Sequence, residues 1–244
     1  MNKMSTEVAL HMTYLRDPAS VGEIDQERVL AELTTGEDTF LSRRRFSDYD
    51  HLVLGADRDT GRAVALLGAR DGATAREGFV LLNTAFVTPS ARGKMVMSRM
   101  IALCILRIAA FGPAPRVLVA PTSNPVWYRS LFELSQQFAG VFFPEPDSSS
   151  IRLDSAALAQ RIAREIGPNL RFESATGTLR GGRTMAALRR APPVSRDPRI
   201  DALFGQLLQP ADLMLTVLDF RAKSESEILD NARRVYRCLR VARG

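Results

Sequence analysis

Histidine, cysteine and tryptophan are nearly missing from this chain. Among 244 residues there are two histidines, His11 and His51, two cysteines, Cys104 and Cys238, and one tryptophan. Two cysteines cannot build a disulfide framework or a thiolate metal cluster, so neither is expected, and no metal is assigned. Cys104 falls within an apolar helical stripe and reads as a small buried side chain. His11 and His51 are each flanked by apolar residues and read as packing groups. No serine, cysteine and histidine arrangement suggests nucleophilic catalysis. Long hydrophobic runs are absent too: none approaches the ~20 residues that span a bilayer. The start, Met1 to Glu7, is polar, and the apolar patch Val8 to Leu15 is broken by His11 and Thr13. It does not read as a secretory signal, and a cytoplasmic location without a membrane partner is expected.

What is there is ordinary for a globular chain. It is 45% hydrophobic and 25% charged, enough apolar content for a sizeable core in one large or two small domains. The net charge is +6 and the isoelectric point about 9.9. Much of the excess lies between Arg221 and Gly244, with seven basic against three acidic residues. Such a balance suits an anionic partner such as a phosphorylated cofactor or nucleic acid, and equally a solvated arginine face.

Along the chain, Glu7 to Leu15 reads as a strand and Asp25 to Leu33 as a helix ending at Gly36. His51 to Gly55 and Ala63 to Gly68 form a hairpin around the Asp- and Gly-rich Ala56 to Arg62. A polar turn, Ala69 to Gly78, leads to a strand from Phe79 to Val87. Met97 to Ala110 has helical spacing and stops at Gly112-Pro-Ala-Pro115. Arg116 to Pro121 is a short buried-type strand, and Asn124-Pro125 caps the helix Val126 to Phe138. Strand, helix, strand, helix implies a right-handed crossover in a partly parallel sheet. Gly140 to Phe143 reads as a strand edge, Ser155 to Ile166 as a helix, Ala175 to Arg183 as a turn and Ile200 to Leu208 as a helix. Asp212 to Phe220 reads as a central strand, followed by an amphipathic helix with Ile228, Ala232, Val235 and Leu239 on one face and arginines on the other.

The segment Val87-Thr-Pro-Ser-Ala-Arg-Gly-Lys-Met-Val-Met97 joins a strand to a helix through a Pro-marked turn. Such a turn presents backbone N–H groups and a positive dipole end, a geometry that binds phosphate.

Val87-x-Pro-x-x-Arg92-Gly93-Lys94 after a strand resembles the cofactor-binding signature of the GCN5-related N-acetyltransferases. Val117-Leu-Val-Ala-Pro-Thr-x-Asn124-Pro, leading into a helix with Tyr128, is similar to that family's next strand–helix unit. The order of elements over residues 1 to 143 also resembles the family. The resemblance implies an α/β fold with a mixed, partly parallel central sheet flanked by helices. Residues 1–143 would be the acyl-CoA-binding core, 144–210 an insertion or small subdomain, and 211–244 the final strand and basic helix. It further implies acetyl-CoA, or another acyl-CoA, as co-substrate and a small-molecule or peptide amine as acceptor. Its pyrophosphate would be held by Arg92, Gly93, Lys94, Met95, Val96 and Met97, its pantetheine arm would run beside Phe86 and Val87, and Asn124 would lie close by. Tyr128 is the candidate acid for the departing thiolate, with aromatic packing beside Trp127 as the other reading.

Two features depart from the family pattern. Met95 and Met97 stand where the family usually has Gly or Ala, and Leu131 stands where its acid Tyr is usual. Both favour a second reading, a non-catalytic binding or regulatory module on the same scaffold. A third, a nucleic-acid-associated protein, rests on charge alone, without a base-reading motif or a stacking platform. Arg43-Arg-Arg45 is read as an acceptor-binding patch or a solvated charge run. Asp48 and Asp50 are read as bases for the incoming ammonium or as turn formers, and Asn124 as a helix cap or a substrate contact. The terminal helix would dock on the core or pair with its twin in a homodimer.

Overall fold

A computed structural model describes residues 10–34, 44–92, 95–147, 152–182 and 193–237. Its elements are β1 (Leu10–Leu15), α1 (Glu23–Leu33), β2 (His51–Asp57), β3 (Ala63–Ala73), β4 (Gly78–Val87), α2 (Val96–Ile108), β5 (Val117–Thr122) and α3 (Pro125–Gln137). There follow β6 (Val141–Phe143), α4 (Leu153–Ile166), β7 (Arg171–Glu173), β8 (Thr178–Arg180), α5 (Pro198–Leu207), β9 (Leu213–Asp219) and α6 (Glu225–Arg237). The strands form one mixed sheet in the order β1-β2-β3-β4-β5-β9-β8-β7, and β6 pairs with the far edge of β9 beyond β8. Every pairing is antiparallel except β4 with β5. β9 is therefore an interior strand, as its largely apolar run, interrupted only by Thr216 between Leu213 and Leu218, suggests.

Alternation along each strand sends side chains to two differently covered faces. Val53, Leu67, Leu82, Leu118 and Leu218 meet α2, α3, α5 and α6 in the main core. Their neighbours point the other way. Val117, Val119, Leu215 and Val217 pack on α4, and Leu52 and Leu66 pack with Leu30 and Leu33 of α1. α2 is apolar nearly all round, with nine of its thirteen residues buried, because α6 covers the side that the sheet does not.

The basic terminal helix is a packing element. Ile228, Ala232 and Val235 are buried in the same core as α2, and Arg99 of α2 stacks on the Tyr236 ring at 5.6 Å. Leu239, expected on the same face, lies outside the described residues. On the outer face Arg233 pairs with Asp230, and Arg234 donates to the Gln137 carbonyl. Residues 144–210 contribute α4 to one face of the sheet, the β7–β8 hairpin to its edge and α5 to the main core.

Two expectations change. The whole of Ala69 to Gly78 reads as a turn in the sequence, yet β3 continues to Ala73 and the turn is confined to residues 74–77, where Thr74 N–H donates to the Glu77 carbonyl at 2.8 Å. Two glycines make the extension possible. A side chain at Gly68 would come within 2.4 Å of the Tyr49 ring, and one at Gly72 within 2.4 Å of the Phe79 ring. Aromatic rings thus occupy the space that made these positions look like breaks. Ala175 to Arg183 likewise contains a strand, β8, which turns back from β7 through Gly177 at φ 72°.

Candidate active site

β4 and β5 are hydrogen-bonded neighbours over only two residue pairs, Val80 with Leu118 and Leu81 with Val119. Beyond that point β4 runs on to Val87 and β5 to Thr122 without pairing with each other. Two parallel strands joined at their starts and parted at their ends form a wedge whose inner edges present backbone N–H and C=O groups. Immediately past the ladder, β4 carries a bulge. Gly68 pairs with Thr84 but Ala69 with Leu82, which leaves Asn83 as the extra residue. A bulge re-aims the local backbone and removes it from the regular ladder.

At its wide end the wedge meets the start of α2. After β4 the chain makes a short turn, Pro89–Ala91, pinned by Thr88 N–H on the Val64 carbonyl. Arg92 is exposed, and its Nε donates to the Val87 carbonyl at 3.2 Å. Gly93 and Lys94 lie outside the described residues. Met95 occupies the left-handed region at φ 50° and offers no side-chain cap to α2. The first intrahelical bond runs from Arg99 N–H to the Met95 carbonyl. The amides of Val96, Met97 and Ser98 therefore belong to the helix end that makes no intrahelical bonds, where the dipole is positive. Met97 turns into the core at 9% exposure, while Met95 is 40% exposed. One thioether is out of the turn and the other beside it. Phe86 and Val87 are half-buried at the end of β4, Phe86 against the α1 face and Val87 against the α2 face.

Tyr128 lies in the main core. It is fully buried, and its ring packs edge-on against Phe142 and Phe204 with centroids 5.1 and 5.2 Å away. Its hydroxyl donates to the Pro144 carbonyl at 2.5 Å. Burial, followed by the nearby charges of Glu145 and Asp147, pushes its pKa far up. A hydroxyl that is sealed and already engaged is not positioned to protonate a thiolate in the wedge. Leu131 is buried in the same core. Asn124 caps α3, its Oδ1 accepting from Val126 N–H at 3.0 Å and Trp127 N–H at 3.4 Å. It stands at the end of β5, but its carbonyl oxygen serves the helix.

Of the polar run before β2, Arg43 lies outside the described residues. Asp48 accepts from Arg45 N–H and Asp50 from Asp71 N–H. Asp50 belongs to a feature not expected from sequence, an open cleft of about 1070 Å³ at the sheet end where β4 and β5 begin. On its wall His51 Nδ1 lies 2.8 Å from the Tyr14 hydroxyl and Nε2 lies 3.0 Å from Asp71 Oδ1. His51 is thus more than a packing group. The alternation of β2 puts it on the same face as Val53, but Asp71 was hidden in a segment expected as turn.

No family model matches the sequence, and no characterised protein matches it in sequence. Among solved structures, the chain is similar to the diaminobutyrate acetyltransferase of Paenibacillus lautus, solved with its substrate and coenzyme A. The TM-score is 0.44 and the identity 11%, over 87% of this chain and 96% of that one. It is also similar to a histone acetyltransferase HPA2-related protein of Corynebacterium glutamicum, with TM-score 0.35 and 16% identity over 57% and 91% of the chains. A Drosophila melanogaster polyamine N-acetyltransferase gives TM-score 0.36 and 11% identity over 55% and 84%. Values this low carry no weight for function, which has to follow from the chain's own geometry. The order of elements and the two-rung parallel pair make this a mixed, partly parallel α/β sheet flanked by helices.

Proposed function

We propose that the chain is an acyl-CoA-dependent N-acyltransferase, with acetyl-CoA as the acyl donor and an amine as acceptor. The observation that carries this is the wedge between β4 and β5 ending at the start of α2, where Met95 offers no side-chain cap. A diphosphate fits the amides of Val96, Met97 and Ser98, with the charge of the exposed Arg92 nearby. An amide-bearing pantetheine arm fits the inner edge of β4 as an added strand would, next to Phe86 and Val87. The acceptor nitrogen attacks the thioester carbonyl, the C–S bond breaks, and the thiolate leaves as a thiol. No protein nucleophile takes part. With Tyr128 buried, the thiolate's proton comes from the attacking nitrogen or from water.

A thermal-shift titration with coenzyme A and acetyl-CoA tests this directly. At 100 times its dissociation constant a ligand adds about 2.7 kcal/mol of stability, so the melting temperature should climb by several degrees. No rise at millimolar concentration of either compound would sink the proposal.

The engaged Tyr128 hydroxyl favours a second reading, a module that binds acyl-CoA without transferring the acyl group. Thiol release separates the two. A module shows the thermal shift and releases no thiol with any primary amine.

A further inference from the structure

The two strand edges that part to form the wedge carry no side chain able to take a proton. Past the last rung, residues 82–87 of β4 and 120–122 of β5 are all aliphatic, aromatic, hydroxyl or amide side chains. Titratable groups on the elements packed around this stretch are held elsewhere. The Tyr49 hydroxyl shares a 2.7 Å hydrogen bond with Thr84, and burial raises its pKa, so it stays protonated. Arg44 and Asp48 bear on that phenol, and Asp48 accepts from Arg45 N–H. Glu32 of α1 accepts from Ala63 N–H at 2.6 Å, Arg161 of α4 is paired with Glu77, and Arg99 of α2 donates to the Tyr236 carbonyl.

The polar group left over is the Asn83 amide. Asn83 is the extra residue of the β4 bulge and stands two residues past the last rung. It is half-buried, and among the described residues its side chain has no hydrogen-bond partner. Leu81 packs in the α4 cluster and Leu82 in the α2 cluster, so alternation sends Asn83 to the α4 side of the sheet. On that side α1 covers β2 and β3 while α4 covers β5 and β9. Asn83 stands on the strand between them.

Pro121 keeps the space beside it open. Leu215 of β9 donates its N–H to the Gly177 carbonyl at 2.8 Å, on the side away from β5. Pro121 is its register partner, and in such an antiparallel pair both backbones turn outward, so that of Pro121 faces β4. Proline has no N–H to offer there. Counting on from the Leu81–Val119 rung places Pro121 level with Asn83. The ladder thus fails where the free amide stands.

We propose that the Asn83 Oδ1 receives the acceptor nitrogen and that this nitrogen arrives as the free base, so that weakly basic amines such as α-amino groups are preferred to lysine-like ones. This rests on the acyltransferase reading. A neutral amide accepts an N–H but cannot hold its proton, so the ammonium gives its first proton to solvent before it binds. The free lone pair forms the N–C bond to the thioester carbonyl and the C–S bond breaks. One of the nitrogen's two protons ends on the thiolate, which leaves an amide and a thiol. At pH 7 an α-amino group of pKa about 8 is ~10% free base, and a lysine-like amine of pKa about 10.4 only ~0.04%.

The test uses glycinamide and butylamine as probes, with acetyl-CoA as donor, on wild type and Asn83→Ala. The coenzyme A thermal shift, expected in both proteins, reports folding and donor binding. If Asn83→Ala loses it, Asn83→Ser takes its place. No shift of wild type, or no thiol release with either amine, would sink the acyltransferase reading and this proposal with it. In wild type, kcat/KM should rise tenfold per pH unit and level off at the pKa of whichever amine is used, more than two units apart for the two probes. Asn83→Ala should lower kcat/KM about 2- to 10-fold, the contribution of one hydrogen bond, without moving either profile. Profiles that level off at one shared pH, below both amine pKa values, would reveal a base in the protein and overturn the proposal while the acyltransferase reading stands. So would an unchanged kcat/KM in the Asn83 variant with its coenzyme A shift intact.

Discussion

Met95 is a side chain in a conformation suited to glycine. Its φ of 50° is the left-handed region, and its side chain makes no capping hydrogen bond to α2 in return. Met95→Gly should therefore stabilise the fold by about 0.5–1 kcal/mol, less the added chain entropy of glycine, and leave the coenzyme A shift at least as large. Urea unfolding and the thermal-shift titration check the two halves. Tyr128→Phe keeps the edge-on packing against Phe142 and Phe204 but strands the Pro144 carbonyl. The expected cost is about 1–3 kcal/mol of stability, with the rate of thiol release unchanged. A large loss of rate without loss of stability would restore Tyr128 as the acid. Gly68→Ala would drive a methyl to within 2.4 Å of the Tyr49 ring, which is held by a 2.7 Å hydrogen bond to Thr84. That overpacking should cost about 1–3 kcal/mol in the same denaturant assay.

Among the elements, the turn between β3 and β4 is anchored by a charge cluster. Glu77 accepts from Arg161 of α4 at 2.6 Å and from Arg221 after β9 at 2.5 Å. Burial alone would raise its pKa, but the two guanidinium hydrogen bonds outweigh it and hold the carboxyl below its usual range. Asp212 is similar: burial opposes, while the amides of Gln209 and Gly181 and the Arg180 side chain win. Both groups have folded pKa values below their unfolded ones, so the stability they contribute is present above the unfolded carboxylate range and is lost as pH falls through the folded value. Denaturant midpoints should drop on acidification below about pH 4, and Glu77→Gln should show a shallower drop from a lower starting point.

The helices and long strands were legible because their spacing is strong. α2, α3 and β9 lie within a residue or two of where periodicity puts them. Glycines misled where rings cover them, at Gly68 and Gly72, since a sequence does not say which distant aromatic side chain fills the gap. The same blindness hid the Tyr14, His51 and Asp71 chain, whose members are joined only by strand register. Tyr128 was singled out as the nearest tyrosine to a motif, and nothing local reveals that the Pro144 carbonyl, sixteen residues on, takes its hydrogen.

At the scale of the whole molecule, the sheet consists of two halves. β1 to β4 form one antiparallel panel and β5, β9, β8 and β7 another, and the two meet along a seam of two rungs. A seam that short contributes few of the hydrogen bonds that keep the panels in one plane, so packing from the helices sets their relative tilt. A molecule wedged between the panels would act as a cross-brace. Its arrival should slow amide hydrogen exchange on both panels at once, including strands it never touches.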